Sequence, residues 1–326
     1  MFLVNPEKDL PVYLRGGVVA IGNFDGVHRG HQALLMRTRE IAQALAKPWG
    51  VVTFEPHPRS FFRAAQPVFR LTPERLKLRL LAAMGADFTL VVPFNLELSR
   101  VSAEEFIAKQ LVQKLGAAHV VAGFDFHFGA GRKGNADTLR GAGLSVDVVD
   151  EVTDEKAGHL AFSSSNIRNA LRQGQMRQAA LELGYDWMIA GFVVPGDQRG
   201  RTIGFPTANI IVEPGVEPAR GIYATLVREV GTVGPVWMGA GYFGDRPTFN
   251  TNRTFLEVHL LDQTIDLYGR ELMVSFVELI RPDQSFTSVD ELVSQMKNDC
   301  HASRKILTPY KAADFPLAQL QAAGKI

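Results

Sequence analysis

This sequence predicts an α/β protein in two parts: a doubly wound parallel sheet first, then an antiparallel β-barrel closed by a helix. Three observations carry the prediction. Short apolar runs alternate with helical periods through the first half of the chain. From Trp187 onward, six β-rich runs follow one another without intervening helices. The 326 residues, 46% hydrophobic and 21% charged, are ordinary for a globular chain and long enough for two hydrophobic cores.

In the first half, residues 18–21 read as a buried strand. Leu34, Thr38, Ile41 and Leu45 then fall on one face of a helix beginning near Gly30. A second strand is expected over 51–54, after which Thr72 is a cap residue ahead of Pro73 at a first helical position. A third covers 88–93, and Ser102 with Glu105 has the spacing of a capping box leading into Phe106, Ile107 and Leu111. Strands over 119–124 and 144–149 complete the alternation. Such a pattern predicts a parallel sheet with helices on both faces, which binds ligands at the carboxyl ends of its strands.

The six runs of the second half are WMIAGFVV, TANIIV, GIYATLV, PVWMGAGYF, TFLEVHLL and ELMVSFVELI, punctuated by PG, RG and YG turns. One long helix follows, with Ser288 as its cap and Leu292, Met296 and Ile306 as core contacts. From about Thr308 the chain reads as a weakly structured tail. The expected divisions are 1–185, 186–307 and 308–326.

Charge excludes some functions. Lys and Arg sum to 35 and Asp and Glu to 34, a net +1 that offers no basic field for nucleic acid. No apolar run reaches the ~18 residues needed to span a bilayer, and the first residues lack a signal peptide's pattern. A cytoplasmic protein without a membrane or nucleic-acid partner is expected, its oligomeric state unspecified. The single cysteine, Cys300, has no second thiol, and His301 beside it has no metal-ligand spacing around it.

The strongest chemical motif is GNFDGVHRGH, residues 22–31, where the first strand runs into the first helix. Free backbone N–H groups and the positive dipole end at a helix start favour an anion. His28 and His31 add side-chain donors suited to phosphate oxygens, while Gly22, Gly26 and Gly30 let the backbone approach closely.

With the blocks TFEPHP at 53–58, GFDFHFG at 123–129 and SSSNIR at 163–168, this motif resembles the prokaryotic bifunctional riboflavin kinase and FAD synthetase family. The resemblance runs to about Lys305, and the first half is similar to HxGH nucleotidylyltransferases, with Ser165 where threonine is usual. It implies ATP, magnesium, riboflavin, FMN and FAD as substrates, cofactors and products. Gly22, Asn23, Asp25, Gly26, His28 and His31 would hold the ATP phosphates, with Ser164 and Arg168 approaching them, and His57 and Asp125 would line the FMN side.

For the second half, the resemblance assigns ATP to the glycine-rich basic turn and PTAN: Gly200, Arg201, Gly204, Pro206, Thr207 and Asn209. Thr207 and Asn209 would attend the magnesium, as hard oxygen ligands suit it. Tyr268 and Gly269, Arg281 and Phe286 resemble the family's series around the flavin, and Glu257 is the expected base. Strand alternation places Phe255, Glu257 and His259 on one face and Leu256, Val258 and Leu260 on the other. Tyr242 departs from the family's asparagine, near the nucleotide.

Two other readings compete. A monofunctional FMN adenylyltransferase would keep the barrel as a flavin-binding or regulatory module. A nicotinamide oxidoreductase would use GAGRKG at 129–134, with Asp150 downstream, yet that fingerprint normally opens the first βαβ unit, which the HxGH loop already occupies. No Walker A pattern occurs.

Overall fold

The computed structural model describes the chain except residues 6–9, 155–159, 197–198, 233, 246–253 and 324–326. Two compact units result: Met1–Val68 with Thr72–Ser163 and the chain from Leu320 onward, and Phe69–Leu71 with Ser164–Gln319. This division falls earlier than the composition change near Asp186. The short Phe69–Leu71 segment joins the second unit because Arg168 Nε donates to the Phe69 carbonyl (2.7 Å) and Trp187 Nε1 to that of Leu71 (2.9 Å).

The first unit holds strands β1 (Phe2–Val4), β2 (Val18–Ile21), β3 (Trp49–Glu55), β4 (Phe88–Pro93), β5 (His119–Gly123) and β6 (Ser145–Val149). Its helices are α1 (Arg29–Ala44), α2 (Pro58–Phe62), α3 (Glu74–Ala83), α4 (Ala103–Phe106), which continues in wider π turns over Ile107–Lys114, and α5 (Ala136–Gly141). A small antiparallel pair, β7 (Thr153–Asp154) and β8 (Leu160–Ala161), ends it.

All six strands of the sheet are parallel, in the order β1-β4-β3-β2-β5-β6. The alternation predicted β2 to β6. Edge strand β1 is an addition, since three residues carry too little pattern to be read. Val19, Ile21, Val52, Phe54, Leu90, Val92 and Val120 form one buried face with Phe106, Ile107 and Leu111. On the opposite face, Arg37 of α1 reaches Asp147 of β6, and Lys77 of α3 reaches Thr53 of β3. Helices therefore cover both faces, as expected.

Two local expectations need correction, and the rejected GAGRKG reading has a packing explanation. Leu45 is exposed at the end of α1, because the helix stops at Ala44 and its fourth predicted contact falls beyond the sheet. Thr72 does not cap α3, whose N-cap is Pro73. Its hydroxyl instead accepts from Gly26 N at 2.8 Å, a long-range partner that outcompetes the local one. Gly129 of GAGRKG caps only a short 3-10 turn over Ala130–Arg132, and Gly134 opens no helix. A Cβ there would lie 2.7 Å from Ala103 N and 2.6 Å from Ala103 Cβ respectively, so these glycines serve close packing, and α5 starts later under the cap of Asn135.

The second unit begins with α6 (Ser164–Arg172) and α7 (Met176–Leu183), followed by β9 (Met188–Val194), the short α8 (Arg199–Thr202), β10 (Ala208–Ile211), β11 (Gly221–Glu229), β12 (Trp237–Asp245), β13 (Thr254–Leu260) and β14 (Glu271–Pro282). These six strands form a closed antiparallel barrel, in the order β10-β13-β12-β11-β14-β9. Each corresponds to one of the six β-rich runs. Trp187, Tyr223, Phe243 and Phe276 pack edge to face or tilted in its core.

Helix α9 (Val289–Leu307) follows, with Ser288 Oγ accepting from Glu291 N as its cap. Leu292, Met296 and Ile306 are only half-buried, and the fully buried positions are Asp299, Ser303 and Leu307. The phase differs because Arg281 draws Asp299 inward through a bidentate pair. Cys300 beside it is half-buried, and burial, with the Asp299 carboxylate next, pushes its thiol up to about 11, which leaves it an unreactive thiol. The chain after Thr308 is also more ordered than expected: Phe315 is buried, and α10 (Pro316–Ala323) starts on a proline.

Asp186, just ahead of β9, is 7% exposed. Burial, helped by the Asp314 carboxylate and opposed by Arg177, pushes its acid up to about 6 from 3.8. The unfolded chain then binds fewer protons than the folded one between about pH 4 and 6. Stability therefore falls as pH rises through that window, by about 3 kcal/mol, and stays lower above it. Replacing the acid by its neutral isostere, Asp186→Asn, should raise the thermal midpoint of this unit by several degrees at pH 7.5 and remove that component of the pH dependence. Calorimetry of both proteins from pH 4 to 8 checks it.

Candidate active sites

Strand β2 is where the order of the first sheet reverses, with Ile21 opposite Val52 of β3 on one side and Ala122 of β5 on the other. The loops leaving the carboxyl ends of these three strands carry GNFDGVHRGH, TFEPHP and GFDFHFG. This is the crevice in which doubly wound sheets bind nucleotides.

The loop after β2 is tightly wound. Phe24 (φ 50), Gly26 (φ 90) and Val27 (φ 37) all occupy the left-handed region, which is costly for phenylalanine and valine. Burial holds them there, since both side chains are fully enclosed. The loop is also tied from outside. Asp25 Oδ1 accepts from Thr72 N (2.9 Å) and Thr72 Oγ1 (3.2 Å), and the Asn23 carbonyl accepts from Thr53 Oγ1 and Lys77 Nζ, each at 3.1 Å. Asp25 is thus a buried brace of the loop.

The result is a fixed pair of imidazoles at the start of α1. His28 is the N-cap residue, and its ring stacks on that of His31 at 3.7 Å and 27°. A Cβ at Gly30 would come within 3.2 Å of the His28 ring, so glycine leaves room for the imidazole. Backbone N–H groups at a helix start and two adjacent imidazoles are chemically suited to an anion.

On the β3 side, His57 caps α2, its Nδ1 accepting from Arg59 N at 3.1 Å. On the β5 side, Asp125 is exposed, and its carbonyl accepts from His127 Nδ1. Exposed and half-buried aromatic side chains that composition does not announce follow β3, β4 and β5. Phe61, Phe62 and Phe94 meet edge to face at 5.3–5.7 Å, with Phe62 67% exposed, and Phe124 is 53% exposed. The signal was present as SFF after TFEPHP and PF after β4, though doublets of phenylalanine more often mean core. Ser164 opens α6, and Arg168 is buried in the second unit with its bond to Phe69.

The barrel gathers a second set. Glu257 stands directly between Asn209 of β10 and Tyr242 of β12, so these three side chains leave the same face. Leu256, Val258 and Leu260 are buried on the other, as alternation predicts. His259 Nδ1 donates to the Pro206 carbonyl at 2.8 Å, fixing the start of PTAN against β13. A cavity of about 420 Å³ is lined by Arg201, Pro206, Thr207 and Tyr268 among others. Asn209 is buried, with Nδ2 toward the Thr207 carbonyl, and a Cβ at Gly196 would overlap its amide. A Cβ at Gly200 would be 3.9 Å from the Thr207 hydroxyl, while Gly204 has φ +86 and open space around it.

Arg281 and Phe286 form a separate group. The guanidinium lies 5.6 Å from the Phe286 ring centre while it pairs with Asp299. Tyr242 links this group to the Glu257 row, because its hydroxyl donates to Asp283 Oδ2 at 3.0 Å and its phenol folds along its own strand over Gly244.

Comparison with known proteins agrees with both halves. The FAD synthetase family model matches residues 11–166 and the riboflavin kinase model residues 183–307. The chain is 41% identical over 300 residues to the bifunctional riboflavin kinase/FMN adenylyltransferase of Escherichia coli K12, covering 91% of this chain and 95% of that protein. It is 40% identical over 315 residues to the protein of the same name from Pseudomonas fluorescens, covering 95% and 99%. A crystal structure described as a macrolide-efflux protein from Streptococcus pneumoniae superimposes with a TM-score of 0.79 at 30% identity, over 93% of this chain and 99% of that one. Among the described residues here, no helix is long and apolar enough to cross a membrane. Two family domains on one chain argue against the monofunctional reading, and the chain belongs to the bifunctional riboflavin kinase/FMN adenylyltransferase family.

Proposed function

We propose that the first unit transfers the AMP of ATP to FMN at the β2 loop, releasing pyrophosphate, and that the barrel phosphorylates riboflavin with ATP at the Glu257 row. The stacked His28–His31 pair at the start of α1 carries the first assignment. An FMN phosphate oxygen attacks the α-phosphorus as the bond to the β-phosphate oxygen breaks. The nucleophile is already anionic, so the protein's work is alignment and charge neutralisation. Gly22, Asn23, Gly26, His28 and His31 take the triphosphate in this reading, while Asp25 shapes their loop. The flavin ring takes the Phe62 and Phe124 surface, with His57 and Asp125 beside it.

In the barrel, Glu257 accepts the proton of the ribityl hydroxyl as its oxygen bonds to the γ-phosphorus and ADP leaves. Gly200, Arg201, Gly204 and Pro206 shape the nucleotide side, and Tyr268, Arg281 and Phe286 the flavin side. The hydroxyl of Thr207 and the amide oxygen of Asn209 are hard oxygen donors of the kind that fit magnesium. Thr207 and Asn209 would hold the ion, which when bound neutralises phosphate charge. Ser164 and Arg168 keep the phosphate role that the family resemblance gives them. A cytoplasmic location goes with this reading.

The direct test is incubation with riboflavin, ATP and magnesium, with FMN and FAD separated by chromatography. Both products are expected; FAD arising only from supplied FMN would return the monofunctional reading. His28→Ala and His31→Ala should each lower FAD synthesis by about 10²–10³ and leave FMN formation intact. Equal loss of both activities would mean a folding defect instead.

Glu257→Gln should lower FMN formation by about 10²–10⁴, chiefly in kcat, with FAD synthesis from supplied FMN as the folding control. Thr207→Ala should fall as well, but with a shifted magnesium dependence that Glu257→Gln lacks. Steady-state rates across a magnesium titration separate the two, and near-normal FMN production by Glu257→Gln would remove it as the base.

A further inference from the structure

Lys77 is a lysine buried beside Leu76, Leu80 and Leu81 on the inner face of its helix. It lies on α3 and is 2% exposed. Its ammonium meets Glu55 Oε1 at 2.6 Å, the Asn23 carbonyl at 3.1 Å and Thr53 Oγ1 at 3.1 Å. Three donors thus face three acceptors, one from the end of β3, one from within it, and one from the loop after β2. Burial of this kind rules out direct contact with a substrate.

A buried ion pair is seldom the most stable solution. Apolar or neutral replacements of similar volume are often as stable or more so, because desolvation offsets the attraction between the charges. What this pair does supply is direction. The Asn23 carbonyl sits one residue before Phe24, the first of the left-handed positions. Thr72, just ahead of α3, holds Gly26 N and Asp25 on the far side of the same turn. The chain of α3 and the residues leading into it therefore hold the loop at two points, before and within the strained segment, and the hold on the front of the loop includes the Lys77 ammonium.

We infer that Lys77 is a positioning residue for adenylyl transfer: through the Asn23 carbonyl its ammonium fixes where the β2 loop delivers His28 and His31. The inference rests on the reading of that loop as the adenylyl-transfer site. Displacing a catalytic group by about 1 Å costs on the order of 10²-fold in rate. Without the ammonium, the Asn23 carbonyl keeps, of its two described side-chain bonds, only that from Thr53 Oγ1, which leaves the front of the loop that freedom even when the domain remains folded.

The test compares the parent protein with Lys77→Met, Lys77→Arg and the neutral double variant Glu55→Gln/Lys77→Met. Thermal midpoints, FAD synthesis from FMN and FMN synthesis from riboflavin are measured on each full-length protein. The double variant leaves no buried charge alone, so its midpoint should lie near the parent's and its FMN synthesis within about twofold. Its kcat for FAD synthesis should nonetheless fall by about 10²-fold, with KM for FMN little changed. Lys77→Arg, which keeps the charge, should recover part of that kcat.

Parent-like FAD turnover in the double variant would overturn the inference. So would a loss of turnover that only tracks a lost thermal transition, since that would make the pair a folding element. Failure of the parent itself to make FAD would instead refute the site assignment on which the inference rests.

Discussion

Parallel pairing of β2 on both sides is the constraint on which the first unit depends. Each parallel neighbour must be reached by a crossover, so the chain leaves β3, β2 and β5 at the same edge and returns over a face of the sheet. Three chemically distinct loops are thereby delivered side by side, although residues 22, 55 and 123 are far apart along the chain. Everything else in the unit serves this arrangement. One face is closed by α4 and its wide turns, the other by α1 and α3, and α3 reaches up to hold the loop that carries the histidines.

The two halves solve different chemical problems, and their sites differ accordingly. Transfer to an anionic phosphate calls for neutralisation and alignment, which the proposed assignment gives to a helix terminus and two stacked imidazoles on one short loop. Phosphorylation of an alcohol also requires a proton acceptor. On the proposed assignment that acceptor is Glu257, which stands in register with Asn209 on one side and Tyr242 on the other.

Much of this was legible in the residues because it depends on short-range pattern. Alternation set Leu256, Val258 and Leu260 on one face, which the fold buries, and Glu257 on the other, and glycine with histidine spacing marked the β2 loop. What remained hidden depends on pairing between distant segments. Thr72 has the local signature of a helix cap, and only the folded chain offers it Gly26. Lys77 and Asp299 look like exposed charges on amphipathic helices until Glu55 and Arg281 are brought to them. The helix after Thr308 was obscured for a similar reason, since Phe315 and Leu320 become core positions only once there is something to cover.

Closure of the barrel, β9 onto β10, carries a mechanical consequence. In an open sheet an edge strand can peel away and leave the rest intact, as the three-residue β1 could from β4. A closed ring has no such edge: freeing one strand breaks two ladders, and a slip of one residue would have to travel around all six strands. The wall bearing Glu257 is therefore a rigid hoop, and any passage for a flavin or a nucleotide must be made by the connecting loops at its rims.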